Sequence, residues 1–449
     1  MSESIKDQID GYKEDYLEKE KKPIEFYNMV RDSLRKACSK YGESDALGGD
    51  YQEGVNGYTH AAEILYTSGH PAAADALLIE SWNDRGKRQL KEKGRIYRAG
   101  IAWKLADLFL KRRDYGAALW WALHTQADDI LGNNEDRGAA GRWQLRTVLG
   151  MSEATLEELN GIADKNRAYV ETKHDDDWSH VRGFAEDAVL RFVLDTKSSS
   201  LFAQESSVRE FPLSTAYFDA LLRRVKKAIT EKKGKELEYL ASYLFLLIPG
   251  WVPRRNVRHS RWAFETDLVV SNLRPEADLT ADLLGRHFPV ECKNWVKRVG
   301  VQHVGYFLYR MRLTHSKFGV LFVASQITGH KRGWAADELI RMAFHEDGSV
   351  CVILTQADLN NLLKGKTTFR SMLLEKLEHV RFGKPSRSQS ELQSINGIGP
   401  KRAERLEQMG ITTLAKLVSA NSTEVADAMP RVADRTVKEW QAKASSHSG

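Results

Sequence analysis

The chain has 449 residues, 42% of them hydrophobic, and a formal net charge of +6 at pH 7. This length accommodates about two to four domains with apolar cores. The small net charge excludes a basic coat over the whole surface, so any contact with nucleic acid must be local.

Targeting, membrane and cysteine patterns favour a reducing cytoplasm. The first residues are charged and lack an apolar core, and no run of about 18 apolar residues appears, so we expect neither a signal peptide nor a membrane span. Cys38, Cys292 and Cys351 lie far apart without a C-x-x-C pair, which argues against a disulfide framework and a zinc motif.

Residues 1–200 predict an all-α region built from helical hairpins. Apolar side chains recur at helical spacing in residues 24–40, and residues 42–57 are rich in glycine and acidic residues, as in a loop. Around Pro71 and Tyr115 an apolar helix, a short polar turn and an alanine-rich helix follow one another. This form resembles tetratricopeptide-type hairpins, although no repeat of about 34 residues is evident. We expect the region to hold a protein partner or to dock against the rest of the chain.

Three tryptophans of this region, Trp103, Trp120 and Trp121, fall within predicted helices, and we expect them to be core residues. Residues 196–212 are rich in serine and include Phe-Pro, which is typical of a linker.

Two strand-like segments in the middle of the chain carry acidic residues. Asp267 precedes the apolar run Leu-Val-Val, and the later segment reads Phe-Pro-Val-Glu-Cys-Lys-Asn-Trp. Side chains alternate along a strand, so Glu291 and Lys293 share one face. Because buried charges must pair or bind a cation, the segments predict a divalent-metal site formed by Asp267 and Glu291, with Lys293 beside the reacting phosphate. A surface strand with an ion pair is the alternative interpretation.

The elements around these strands follow a characteristic order. A helix containing Glu238 precedes Pro-Gly-Trp, the strand with Asp267, the Glu-Cys-Lys-Asn-Trp strand, another helix and an apolar strand. In this order, the chain from about residue 226 to residue 383 resembles the Mrr-like restriction endonuclease family of the PD-(D/E)xK nuclease superfamily. The resemblance implies an α/β restriction-endonuclease-like domain with a mixed central sheet, which we place at residues 215–383.

The resemblance also implies roles for individual residues in the hydrolysis of DNA phosphodiester bonds. Asp267, Glu291 and the main-chain carbonyl of Cys292 would hold Mg²⁺, for which Mn²⁺ can substitute. Lys293 would position the nucleophile or stabilise the pentacovalent state, and Glu238 would bind through water or hold a second ion.

Two further residues extend this candidate set. Gln302 matches a polar residue that opens the helix after the lysine strand. Asp282, in Thr-Ala-Asp-Leu-Leu, also precedes the lysine strand and is the alternative metal aspartate. We prefer Asp267 because Leu-Val-Val follows it directly.

Basic residues concentrate beside the candidate site. Residues 223–261 contain eleven lysines and arginines against three acidic residues, and Arg254 and Arg255 belong to this group. The concentration favours a track for DNA phosphates, and a solvated face is the alternative.

Residues 391–446 predict a small all-α domain after a linker at residues 383–390. The segment Ile-Asn-Gly-Ile-Gly-Pro-Lys-Arg-Ala-Glu-Arg-Leu resembles a helix-hairpin-helix module. In such a module the hairpin Gly397, Ile398 and Gly399 lets backbone N–H groups approach a DNA phosphate, and Lys401 and Arg402 lie in the following helical turn. A protein-binding version of the module is the alternative. The side chains expected to form its core are Leu406, Met409, Ile411, Leu414 and Leu417.

Together these segments predict a multidomain, Mg²⁺-dependent DNA endonuclease that acts in restriction or phage defence. A structure-specific repair nuclease and a non-catalytic DNA-binding scaffold are the alternatives. The expected partners are double-stranded DNA, a protein bound by the helical region and a second copy of the chain in a homodimer, with no membrane.

Overall fold

The structure is a computed structural model that forms two compact units, divided between Lys376 and Leu377. It describes residues 5–19, 21–40, 49–92, 95–132, 139–172, 179–196, 199–228, 233–258, 265–274, 285–293, 300–323, 334–382, 392, 395, 397–399, 402–403, 405–406, 409, 411, 414–429 and 432–447. None of the described helices has both the length and the apolar composition required to cross a membrane.

Helices dominate the first unit up to the sheet. The α-helices are α1 Ile5–Tyr12, α2 Pro23–Lys40, α3 Gly49–Thr67, α4 Pro71–Glu92, α5 Ala99–Lys111, α6 Tyr115–Leu131, α7 Ala139–Trp143, α8 Glu153–Thr172, α9 Ser179–Arg182, α10 Ala185–Asp195, α11 Thr215–Lys227 and α12 Lys233–Leu246. Two π-helical segments, Lys13–Lys19 and Gln144–Val148, and the 3₁₀ turn Ser199–Ala203 complete this part.

Local sequence explains the hairpins of this region. Pro71 is the first residue of α4, where its missing N–H costs nothing. The carboxylate of Asp114 accepts a hydrogen bond from the N–H of Ala117 at 3.0 Å and so caps α6. The pairs α3–α4 and α5–α6 pack together as helical hairpins.

Two predictions for the helical region are wrong in part. Helix α3 already begins at Gly49, within the segment predicted to be a loop. Trp120 and Trp121 are buried in the core as expected, whereas Trp103 is 37% exposed. Trp103 falls on the outer face of α5, because the small side chains of Ala102 and Ala106 point into the core instead.

The segment predicted to be a linker packs against the rest of the unit over its described residues. The ring of Phe211 stacks on Trp120, with centroids 4.5 Å apart and planes inclined by 6°. The N–H of Ser207 donates to the carboxylate of Asp114 at 2.7 Å. The carboxylate of Glu210 accepts hydrogen bonds from the N–H groups of Phe369 and Arg370 at 2.8 and 3.0 Å, and thereby caps a helix far along the chain.

The sheet of this unit has five strands in the order β1-β2-β3-β4-β5. The first three strands pair antiparallel, and β3, β4 and β5 pair parallel, so the predicted mixed sheet is confirmed. The strands are β1 Trp251–Arg258, β2 Glu265–Asn272, β3 His287–Lys293, β4 Phe318–Val323 and β5 Val350–Thr355. The helices that follow are α13 Val301–Leu313, α14 Trp334–Asp347, α15 Gln356–Leu363 and α16 Phe369–Phe382.

Helices cover both faces of the sheet. On one face Phe245 of α12 contacts the rings of Phe288 and Phe322, each with a centroid separation of 5.8 Å. On the other face α13 lies so close that a Cβ at Gly319 would stand 2.7 Å from the sulfur of Met311. Parallel strands buried on both faces are apolar throughout, as β4 is.

The second unit has its own apolar core. Its helices are α17 Leu414–Ser419, α18 Ser422–Asp427 and α19 Asp434–His447, preceded by shorter helical turns. Of the side chains expected in the core, Leu406, Ile411 and Leu417 are buried and Leu414 packs against them, whereas Met409 is exposed. The buried residues are Leu392, Ile395, Ile398, Ala403, Leu406, Ile411, Leu417, Val425, Met429, Val432, Val437, Trp440 and Ala444.

Candidate functional site

Asp267 and Glu291 lie on neighbouring antiparallel strands at one end of their pairing. Leu268 of β2 pairs with Val290 of β3, so the next position outward brings Asp267 beside Glu291. The N–H of Cys292 donates a hydrogen bond to Oδ2 of Asp267 at 2.7 Å. The structure thus brings the two predicted carboxylates together.

Glu291 is buried, with 5% of its surface exposed, and both of its carboxylate oxygens have cationic partners. Nζ of Lys293 lies 2.6 Å from Oε1, and Nη1 of Arg310 donates to Oε2 at 2.8 Å. Two charge-assisted contacts hold the carboxylate in one orientation and offset the cost of burying it.

Arg310, which was not among the predicted site residues, reaches this site from α13. It also donates to Oγ1 of Thr266 at 3.2 Å and to the main-chain carbonyl of Glu265. A signal for it exists in the sequence, because Arg310 follows Phe307 at helical spacing on the apolar face of α13. An arginine on such a face requires a buried acidic partner.

The carboxyl of Asp267 has a pKa raised to about 6. Burial is the main cause, and the neighbouring charge of Glu291 adds to it, whereas the N–H of Cys292 and the ammonium of Lys293 lower the pKa. No group among the described residues donates a hydrogen bond to Oδ1 of Asp267. The Asp267 carboxylate is repelled by Glu291, and only its Oδ2 accepts a hydrogen bond from the described residues. Such a carboxylate is a suitable ligand for a hard cation.

Glu238 of α12 adds a third carboxylate to the surroundings of Asp267. It is buried, and its Oε2 accepts a hydrogen bond from Nη2 of Arg255 at 3.1 Å. Its charge contributes to the raised pKa of both Asp267 and the Cys292 thiol. Arg255 therefore serves Glu238 within the protein, in addition to any phosphate contact, whereas Arg254 is exposed on β1.

The backbone of β1 departs from regular geometry next to Asp267. Arg255 pairs with Leu268 and Val257 with Thr266, which leaves Asn256 at the position facing Asp267. Asn256 has φ of +52°, in the left-handed region that asparagine tolerates better than most residues. An asparagine in the middle of a strand was the available sequence signal for this irregularity.

Three further predicted residues are Gln302, Asp282 and Lys401. Gln302 is exposed in the first turn of α13. Asp282 and Lys401 lie outside the described residues. Within the described parts of the chain, no three His, Cys, Asp or Glu side chains form a group that could hold a metal ion. A metal site here would therefore depend on two carboxylates together with main-chain or water oxygens.

The predicted hairpin of the second unit is built around Gly397. This glycine has φ of +104°, and a Cβ there would stand 2.8 Å from Nε1 of Trp440. The side chain of Ile398 is buried, whereas Gly397 and Gly399 are exposed. The carbonyl of Gly399 accepts hydrogen bonds from the N–H groups of Arg402 and Ala403, which starts the next helical turn.

The side chain of Arg402 stabilises this hairpin. Its Nη1 donates to the carbonyl of Gly397 at 2.6 Å, and its guanidinium lies 5.4 Å from the ring centroid of Trp440. The side chain is nevertheless exposed, so its charge faces solvent beside the glycines. A Cβ at Gly399 would meet nothing within 4 Å, which leaves the approach to its backbone open.

Comparison with protein families agrees with this geometry. A family model described as a SAM-like helix-hairpin-helix tandem matches residues 390–445. Neither the curated proteins nor the solved structures contain a match to the chain. The chain therefore carries a C-terminal helix-hairpin-helix domain, a module that fits nucleic-acid binding.

Proposed function

We propose that the protein is an Mg²⁺-dependent DNA endonuclease whose helix-hairpin-helix domain holds the duplex, and that it serves in restriction or phage defence. The observation that carries the proposal is the cluster of Asp267, Glu291 and Lys293 at one end of the β2–β3 pair. The defence role rests on the resemblance to Mrr-like endonucleases alone, since a fold does not fix a biological role.

The oxygen-rich donor set suits a hard divalent cation. Asp267 would be the principal ligand through Oδ1, and Glu291 and the Cys292 carbonyl would complete the protein's share. When bound, Mg²⁺ or Mn²⁺ supplies positive charge at the scissile phosphate and lowers the pKa of a water molecule.

The protein's own residues would then act on the phosphate. Lys293, which is 25% exposed and bound to Glu291, can turn its ammonium toward the negative charge that develops in the transition state. Arg310 keeps Glu291 oriented while Lys293 changes partner, because it holds the second carboxylate oxygen. Glu238 would bind the metal through water or hold a second ion.

Purified protein incubated with supercoiled plasmid tests the proposal directly. We expect modified or unmodified plasmid to be nicked or linearised in the presence of Mg²⁺. Neither plasmid should be cut in the presence of EDTA. Lys293→Ala should lower the cleavage rate by about 10²-fold or more, because it removes a transition-state contact, and should leave DNA affinity unchanged. Lys366→Ala, at an exposed lysine that is not among the candidate site residues, is the matched control. Full cleavage by Lys293→Ala would refute the assignment.

A non-catalytic DNA-binding scaffold is the second candidate. It is favoured by the two ion pairs of Glu291, which already satisfy that carboxylate. Tight DNA binding without cleavage of modified, unmodified, single-stranded or branched substrates would support it. Cleavage restricted to branched substrates would support a structure-specific repair nuclease instead, since a helix-hairpin-helix contacts the DNA backbone.

A further inference from the structure

Asp187 is a buried carboxylate on α10 where four elements of the first unit meet. Its Oδ2 accepts hydrogen bonds from Nδ2 of Asn166 at 3.0 Å and from Nε of Arg191 at 2.7 Å. Its Oδ1 accepts hydrogen bonds from the hydroxyls of Tyr217 at 3.1 Å and Tyr239 at 2.9 Å. The four donors come from α8, α10, α11 and α12.

Both tyrosines can serve only as donors here. Burial, followed by the charge of Asp187, raises the pKa of the Tyr217 and Tyr239 hydroxyls well above the usual value. Both hydroxyls therefore keep the protons that they donate at physiological pH. Hydrogen bonds to a buried charge are among the stronger ones in proteins.

Tyr239 connects this carboxylate to the candidate site. It follows Glu238 directly on α12, and its ring lies among three guanidinium groups, those of Arg191, Arg224 and Arg255, at 5.2, 5.6 and 5.9 Å from the ring centroid. Arg255 in turn donates to Glu238. Asp187, Tyr239, Arg255 and Glu238 thus form a continuous chain of contacts from the helical region to the site.

Glu186, the residue before Asp187, fixes the same turn of α10 to other helices of the region. The carboxylate of Glu186 receives Nη2 of Arg98 at 2.8 Å and Nε1 of Trp82 at 3.0 Å, and these side chains are buried. Two consecutive buried acids therefore fix α10 to α4 and the start of α5 on one side and to α12 on the other.

We propose that Asp187 is a positioning residue for Glu238, and that through Tyr239 the N-terminal helical region sets the placement of α12 at the nuclease site. This inference rests on the proposed function. On this view the helical region helps to position a catalytic residue, and its packing against the sheet affects the rate of cleavage.

Tyr217 provides a matched control, because its hydroxyl donates to the same oxygen, Oδ1 of Asp187, but from α11, which carries none of the candidate catalytic or metal-binding residues. Tyr217→Phe and Tyr239→Phe each remove one hydroxyl and keep the ring. We expect Tyr239→Phe to lower kcat by about 10- to 100-fold with KM unchanged, since small misplacement of a catalytic group costs up to about 10²-fold. Tyr217→Phe should keep kcat within about twofold of the wild-type value. It should nevertheless lower thermal stability about as much as Tyr239→Phe does, because each variant removes one hydrogen bond to Asp187.

Hydrogen exchange at the backbone amides of residues 233–246 gives a readout that does not require cleavage. Tyr239→Phe should accelerate exchange in this helix selectively, and Tyr217→Phe should not. Equal kinetic effects of the two variants, or no effect of either, would overturn the inference. If the wild-type protein cleaves no substrate, the proposed function fails, and the exchange experiment still decides whether Asp187 positions α12.

Discussion

Arg310 and Glu291 form an ion pair behind the candidate metal site, with Nη1 of the arginine 2.8 Å from Oε2 of the glutamate and only 8% and 7% of the side chains exposed. We predict that Arg310→Met destabilises the protein by about 1–3 kcal/mol, because Oε2 of the buried Glu291 carboxylate loses its charge-assisted hydrogen bond while Oε1 keeps its ion pair with Lys293. Urea unfolding of the wild type and the variant measures the difference.

A double variant controls for packing around this pair. Adding Glu291→Gln to Arg310→Met removes the negative charge that has lost one of its two partners and should restore part of the stability. If Arg310→Met alone unfolds at the same urea concentration as the wild type, the ion pair is not a stabilising feature.

Replacing Asp267 and Asp282 with asparagine, one at a time, shows which of the two is the metal ligand. Asp267→Asn should remove Mg²⁺-dependent cleavage, since an amide is a poorer ligand than a carboxylate for a hard cation. Asp282→Asn should retain cleavage. Plasmid assays over a range of Mg²⁺ concentrations decide between them, and the reverse pattern would move the metal site to Asp282.

The raised pKa of Asp267 predicts a pH-dependent stability. Its folded-state pKa of about 6 lies above the ordinary value of 3.8, so ionisation is disfavoured in the folded state. The resulting penalty is absent below about pH 4, grows between the two pKa values and is constant above about pH 6. Asp267→Asn should therefore stabilise the protein at pH 7, by about 3 kcal/mol at most, and have little effect at pH 4.

Mg²⁺ provides a second test of the same carboxyl. Cation binding must compete with protonation below the folded-state pKa, so the rise in melting temperature caused by Mg²⁺ should be larger at pH 7.5 than at pH 5.5. Asp267→Asn should remove this dependence. An equal rise at both pH values, or one that persists in the variant, would place the cation elsewhere.

The two glycines of the C-terminal hairpin should respond differently to alanine. Gly397→Ala should destabilise the domain by about 1–2 kcal/mol or more, because the residue has a positive φ and a Cβ would meet Trp440. Gly399→Ala should leave the fold intact, since its Cβ would meet open space, and should weaken DNA binding by blocking backbone approach. The larger strain thus falls on Gly397.

Deletion of the chain from about Ser386 onward tests the DNA-binding role of this domain. The remaining protein should fold, because the core of the second unit is self-contained. Affinity for duplexes of unrelated sequence should fall uniformly, and the salt dependence should become shallower by about 0.9 for each DNA phosphate that the shortened protein does not neutralise. Unchanged affinity and salt slope in a titration of labelled duplexes would point to a protein partner for the domain.

Periodicity explains which parts of the first unit could be predicted from the sequence. Strands β2 and β3 alternate or run apolar over short lengths, so Asp267, Glu291 and Lys293 could be placed on neighbouring strands. Contacts that join distant positions could not be predicted. Arg310 reaches Glu291 across 19 residues and Phe369 reaches Glu210 across 159, and no local pattern specifies such pairs. The same holds for Phe211, whose partner Trp120 turns an apparent linker into core.

The helix cap supplied by Glu210 has a consequence for biosynthesis. Its partners, the N–H groups of Phe369 and Arg370, are made long after Glu210 has left the ribosome. In the nascent first unit this carboxylate is therefore bound to water, and helix α16 is absent, until the sheet has been translated. Such dependence on late, long-range contacts slows folding. Expression at reduced temperature, or with co-expressed chaperones, should then raise the yield of folded full-length protein more than that of the isolated C-terminal domain.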